Sequence, residues 1–131
     1  MLMPRIDRYM TRRPWTITSR ASITEALGMM REHAIRHLPV LDHGMLVGLV
    51  SDRDLRLLET IGGRDDRMHE AMSEPVFSVH ADAAVADVAR TMSEHKYGSV
   101  VVTTKIGAVV GIFTMVDACR ALAELLDRGV A

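Results

Sequence analysis

Apolar positions at Ile23, Ala26, Leu27, Met30 and Ala34 fall three and four residues apart, the spacing of an amphipathic helix with one face in a core. Ser22-Ile23-Thr24-Glu25 opens this stretch with the form of a capping box, a hydroxyl at the N-cap and a carboxylate three residues on. The pattern then changes. Residues 37–41 and 46–50 are short apolar runs separated by Asp42-His43-Gly44, turn chemistry that predicts a β-hairpin. A second helix begins near Ser51 and carries Leu55, Leu58 and Ile61. A short strand, Thr16-Ile17-Thr18, precedes the first helix.

The same succession returns further on. Phe77-Ser78-Val79 reads as a strand, and Val85, Val88, Ala89 and Met92 as a helix stripe started by Asp82. Residues 99–103 and 108–113 are strands around Lys105-Ile106-Gly107. A last helix covers about 116–126, with Ala118, Leu122, Leu125 and Leu126 apolar, and ends near Gly129, a favoured residue past a helix C-terminus. The order is β-α-β-β-α, twice, in an α/β (α+β) chain.

Individual residues confirm the duplication. Pro14 has a partner in Pro75; Ile23, Met30 and His33 recur 62 positions later as Val85, Met92 and His95. Leu38-Pro39-Val40 recurs as Val100-Val101-Val102. After one inserted residue, Gly48, Ser51 and Asp54 recur 63 positions later as Gly111, Thr114 and Asp117. The repeats cover about 10–58 and 72–121, with a linker at about 59–69 and a final helix to about 128. Each copy has too little core to fold well alone, so the two sheets are expected to pack together as one module spanning 1–131.

Composition narrows the function classes. The 131 residues are 48% hydrophobic and 25% charged, with a net charge of −1, so bulk charge does not point to nucleic acid. The arginines at 5, 8, 12, 13 and 20 read as a solvated face. Charges interrupt every apolar run before it reaches bilayer-spanning length, and residues 1–5 lack the apolar core of a signal peptide. A cytoplasmic protein fits. The single Cys119 lies in an apolar helical pattern and is expected to be buried and inert.

The repeated junction carries the candidate chemistry. A strand running into a helix N-terminus leaves backbone N–H groups that favour a phosphate, and Gly48 and Gly111 let a ligand approach the backbone closely. Ser51 and Thr114 can donate a hydroxyl to a phosphate. Asp54 and Asp117 can accept from the paired hydroxyls of a ribose. Arg53 adds a cation where the second copy has Val116, so the two sites differ in charge. Ser51-x-x-Asp54 and Thr114-x-x-Asp117 equally have the form of helix caps, which need no ligand and are worth about 1 kcal/mol.

In order and duplication these motifs resemble a tandem pair of cystathionine β-synthase (CBS) domains, a Bateman module. Met10-Thr11-Arg12-Arg13-Pro14-Trp15-Thr16-Ile17 and Met72-Ser73-Glu74-Pro75 are similar to the family's opening, 35–42 to its first hairpin strand, and 46–55 to its second strand and helix start. The chain resembles the stand-alone bacterial pairs. The resemblance implies two repeats with pseudo-two-fold symmetry and adenosyl ligands in clefts between them: AMP, ADP or ATP, with NAD or S-adenosylmethionine as alternatives. It implies adenine against Thr16, Ile17 and Thr18 or Ser78, Val79 and His80, backed by Pro39 and Val40 or by Val101 and Val102. Ser51, Arg53, Thr114, Arg36, His37 and Lys96 are then expected to face phosphates, and Asp54 and Asp117 ribose.

Other chemistries are weaker. Among the six histidines only His33 and His37 stand four apart, and a helix–strand break is expected between them, so no metal site is expected. His33 and His95 suit helix C-termini. No nucleophile–base pair is evident, and the expectation is a regulatory module, not an enzyme. Apolar positions Leu55, Leu58, Leu122 and Leu125 predict a homodimer, and an unknown effector protein is implied; membrane and nucleic acid partners are not. The alternatives are a ligand-free docking and dimerisation domain, and a metal or redox sensor built on the histidines and Cys119.

Overall fold

The computed structural model describes residues 3–129. The duplicated mixed α/β pattern is present, with three short additions. In order the elements are α1 (Ile6–Tyr9), β1 (Thr11–Arg12), β2 (Ile17–Thr18), α2 (Ile23–His33), β3 (His37–Asp42), β4 (Met45–Ser51), α3 (Asp52–Ile61), α4 (Met68–Ala71), β5 (Ser78–Val79), α5 (Val85–His95), β6 (Ser99–Thr103), β7 (Val109–Thr114) and α6 (Met115–Asp127). They form two compact units: Trp15–Val76, and the residues up to Pro14 together with those from Phe77 onward.

The continuous unit holds a three-stranded sheet in the order β2-β3-β4. β2 runs parallel to β3, with Ile17 beside Val40, and β3 runs antiparallel to β4. The β3–β4 turn is His43-Gly44, both at positive φ, the signature of a type I′ hairpin. Ile23, Ala26, Leu27 and Met30 of α2 and Leu55 of α3 meet Leu38, Val40 and Val50 of the sheet, and α4 adds Met68 and Ala71, with Met72 just past its end. The Ser22 hydroxyl accepts from the Glu25 N–H at 3.0 Å, so the expected cap starts α2.

The discontinuous unit holds a four-stranded sheet in the order β1-β7-β6-β5. Here Ile6, Tyr9 and Met10 of the N-terminal segment pack with Val85, Val88, Met92, Val100, Val102, Phe113 and Ala121. Thr11 and Arg12 pair antiparallel with Ile112 and Gly111. The segment that opens the first repeat in sequence thus folds onto the sheet of the second, and the compact units are offset from the repeats. In the continuous unit the equivalent segment packs Met68, Ala71 and Met72 on the core and, among the described residues, pairs with the sheet through an isolated bridge, Leu49 to Ser73.

Several local expectations change. α5 starts after Ala84, with no side-chain cap; Asp82 sits too early to reach the first free N–H groups. α2 and α5 end in left-handed Ala34 and Lys96 (φ 54 and 58), with the N–H groups of Ile35 and Tyr97 closing back to Met30 and Met92 at 3.0 Å. His33 and His95 occupy the last turns, as the helix dipole favours. Cys119 is exposed, not buried, because Ala121 and Asp117 turn the other side of α6 inward. Leu55 is fully buried and Leu58 packs on the same core, so neither belongs to a free surface. The exposed apolar surface of α6 is instead Met115, Val116, Leu122 and Leu126.

Candidate ligand site at the strand-to-helix junctions

In the continuous unit β4 runs directly into α3. Ser51 is the last strand residue and the N-cap, and its hydroxyl accepts from the Asp54 N–H at 3.1 Å. The Asp52 N–H donates to the Arg36 carbonyl at 2.8 Å, and His37 stands opposite Ser51 across the hairpin. One sheet end therefore gathers Arg36, His37, Ser51, Arg53 and Asp54 at a helix N-terminus. Asp52 is engaged by Arg56 at 2.9 Å. Among the described residues, no side chain pairs with the Asp54 carboxylate or the Arg53 guanidinium. Partial burial lowers the His37 pKa below its ordinary 6.5, the Arg36 charge adds to this, and Asp52 and Asp54 oppose it. His37 is thus held toward its neutral form beside the Arg36 cation and two carboxylates. Pro39 and Val40 lie two and three residues along β3 from His37, roughly 7–10 Å of strand, and Ile17 and Thr18 of the neighbouring β2 pair with Val40 and Leu41, with Thr16 just before β2.

The junction of the discontinuous unit has the same backbone and different chemistry. The Met115 N–H donates to the Gly98 carbonyl at 3.2 Å, and Ser99 faces Thr114, so Gly98 and Ser99 stand where the first junction has Arg36 and His37. Thr114 and Asp117 form a complete capping box. The Asp117 carboxylate accepts from the Thr114 N–H at 2.9 Å, from the Thr114 hydroxyl at 3.3 Å and from the Thr11 hydroxyl at 3.1 Å, and it pairs with Arg120. Its side chain is 3% exposed. Ser78 and Val79 lie beside Val101 and Val102, with exposed His80 just beyond β5. Lys96 lines a largely apolar groove of about 440 Å³ with Met92, Tyr97, Gly98, Met115 and Ala118. The Ser99 hydroxyl is buried without a partner among the described residues.

The two glycines have another occupant. A Cβ on Gly48 would lie 2.5 Å from the Met72 sulfur and 2.9 Å from its Cγ; at Gly111 the Met10 thioether stands in the same place. These glycines are needed because a buried methionine rests on each strand, which replaces the expected role of admitting a ligand to the backbone. Two partners of Asp117 were not anticipated. Arg120, three residues on, is readable from helical spacing; Thr11, 106 residues away, carries no sequence signal. Aromatic clusters flank both sheets: Trp15 stacks on His33 at 3.6 Å, and Tyr97 meets His95 and Phe77 at 5.3 and 5.2 Å.

Two β-α-β-β-α repeats, each with a capped strand-to-helix junction, define a class of paired α+β domains. The CBS domain profile matches residues 6–59 and 68–124, and the chain belongs to that family as a tandem pair. Protein MJ1232 of Methanocaldococcus jannaschii is 30% identical over 103 residues, 79% of this chain and 34% of its own length; the chain spans about a third of that relative. The CBS domain pair of protein MJ0100, solved with 5′-methylthioadenosine and S-adenosyl-L-methionine, superposes with a TM-score of 0.85 at 31% identity, covering 94% of this chain and 98% of that one. CBSX2, solved with AMP, gives 0.79 at 26% identity, covering 92% and 97%.

Proposed function

We propose that the chain is a regulatory module that takes an adenosyl ligand at the Ser51–Asp54 junction. The observation that carries this reading is the unpaired Asp54 carboxylate, set at a helix N-terminus beside Arg53, Arg36 and His37. An ionised carboxylate is an acceptor-only group suited to the two hydroxyls of a ribose. The N-terminal N–H groups and the arginines suit the phosphate of AMP, ADP or ATP, or the charged tail of another adenosyl compound. Ile17 and Val40 are buried in the core, so of the residues expected to flank adenine it is half-buried Thr16 and exposed Thr18 that stand open to a purine. The adenosyl ligands of the MJ0100 pair and CBSX2 support the same ligand class.

Such a ligand regulates by binding one of two conformations more tightly. The module acts on an effector protein rather than by chemistry of its own, in a cytoplasmic setting; among the described residues no helix is long and apolar enough to cross a membrane. It works as a homodimer through α6, whose Met115, Leu122 and Leu126 are at least half exposed while Arg120 and Arg128 are tied back to Asp117 and Glu124. Isothermal titration with AMP, ADP, ATP, 5′-methylthioadenosine and S-adenosylmethionine tests the reading. Saturable heat with at least one is expected. No heat with any of them would leave a ligand-free docking domain.

A further inference from the structure

The repeat gives the second junction the same Asp as the first, yet that Asp is fully engaged. An ionised carboxylate offers about four lone-pair sites. Asp117 meets four donors: the Thr114 N–H, the Thr114 hydroxyl, the Thr11 hydroxyl and Arg120. None is left for a ribose hydroxyl. We propose that Thr11 and Arg120 hold the second junction shut, so that the chain takes a single adenosyl ligand, at the first junction. The inference rests on the ligand reading of Asp54.

The residues that differ between the repeats account for the difference in state. The repeat partner of Arg120 is Leu57, which is 59% exposed and carries no donor. The repeat partner of Thr11 is Ser73, which spends its N–H on the Leu49 carbonyl at 2.9 Å and whose hydroxyl, among the described residues, reaches no carboxylate. Thr114 completes its capping box, whereas Ser51 makes only the bond from the Asp54 N–H. The two closing donors come from outside the box, and both are reachable from solvent: Thr11 is exposed, and the Arg120 side chain is 61% exposed. The second junction is thus occluded by removable groups.

Titration of AMP into the folded chain and into T11A/R120L reads the proposal as stoichiometry. One equivalent is expected for the native chain and two for the double variant. The reverse graft, L57R, places an arginine three residues from Asp54 as Arg120 stands from Asp117; on an exposed position it leaves the fold intact. It is expected to weaken AMP binding at the first junction by tenfold or more. Two equivalents in the native chain would overturn the proposal. So would one equivalent in the double variant together with unchanged affinity in L57R. If native chain and variants take none of AMP, ADP, ATP, 5′-methylthioadenosine and S-adenosylmethionine, the ligand reading itself fails and the proposal with it.

Discussion

Replacing each repeat's Asp by alanine separates the two junctions energetically. In Asp117→Ala the favourable charge at the helix N-terminus is lost, about 0.3–1 kcal/mol, while the Thr114 hydroxyl still accepts from the N–H of residue 117. The Thr114 N–H and Thr11 hydroxyl lose a charged acceptor in a nearly closed site, about 1–3 kcal/mol more. The Arg120 pair adds little, because its guanidinium is mostly in water. The total is about 1–4 kcal/mol. In Asp54→Ala the Ser51 hydroxyl still accepts from the N–H of residue 54 at 3.1 Å, so the cap survives. Only the favourable charge at the helix N-terminus is lost, about 0.3–1 kcal/mol. Urea denaturation of the ligand-free chain at pH 7.5, followed by far-ultraviolet circular dichroism, measures both. Asp117→Ala is expected to cost about 1–3 kcal/mol more than Asp54→Ala. Equal losses would refute the assignment of Asp117 to structure and Asp54 to an open site.

Three further outcomes are expected. Gly48→Ala drives a Cβ to 2.5 Å from the Met72 sulfur and should destabilise the chain by about 1–3 kcal/mol; adding Met72→Ala should recover part of the loss, with a coupling above about 0.5 kcal/mol in a double-mutant cycle. The lowered His37 pKa means that the folded state favours neutral imidazole. Its contribution to stability is therefore complete above about pH 6.5 and declines as pH falls below that value. His37→Gln should flatten the denaturation midpoint between pH 6.5 and 5, and an unchanged slope would exclude His37 as its source. Leu122→Asp, on a position 57% exposed, should shift the chain from dimer to monomer in sedimentation velocity without loss of helicity.

The parts of the fold legible in the sequence are those set by neighbours in the chain. Ser22 and Glu25 mark a helix start because the cap bond spans three residues, and Asp42-His43-Gly44 marks the hairpin because two adjacent residues must take positive φ. The repeat made the second copy readable from the first. What stayed hidden depends on contacts distant in sequence. The pairing of Thr11 with Ile112 and the seating of Met10 on Gly111 bring the N-terminal segment to the second sheet, and no periodicity encodes that. Cys119 looked buried because its neighbours are apolar, yet α6 has an exposed apolar side as well as a core side. Ser51-x-x-Asp54 and Thr114-x-x-Asp117 read alike as strings. They diverge through Thr11 and through the exchange of Leu57 for Arg120, so one became a half-cap with an unpaired carboxylate and the other a closed box.

The central claim is that Asp54 holds a ligand. Titrating AMP into the native chain and into Asp54→Ala, with the variant's fold confirmed by circular dichroism, tests it most directly. Loss of charge-assisted hydrogen bonds to ribose, about 1.5–3 kcal/mol, should weaken binding by roughly 10- to 150-fold while the variant stays folded. Equal affinity in the two proteins would contradict the claim and leave Asp54 as part of a helix terminus alone.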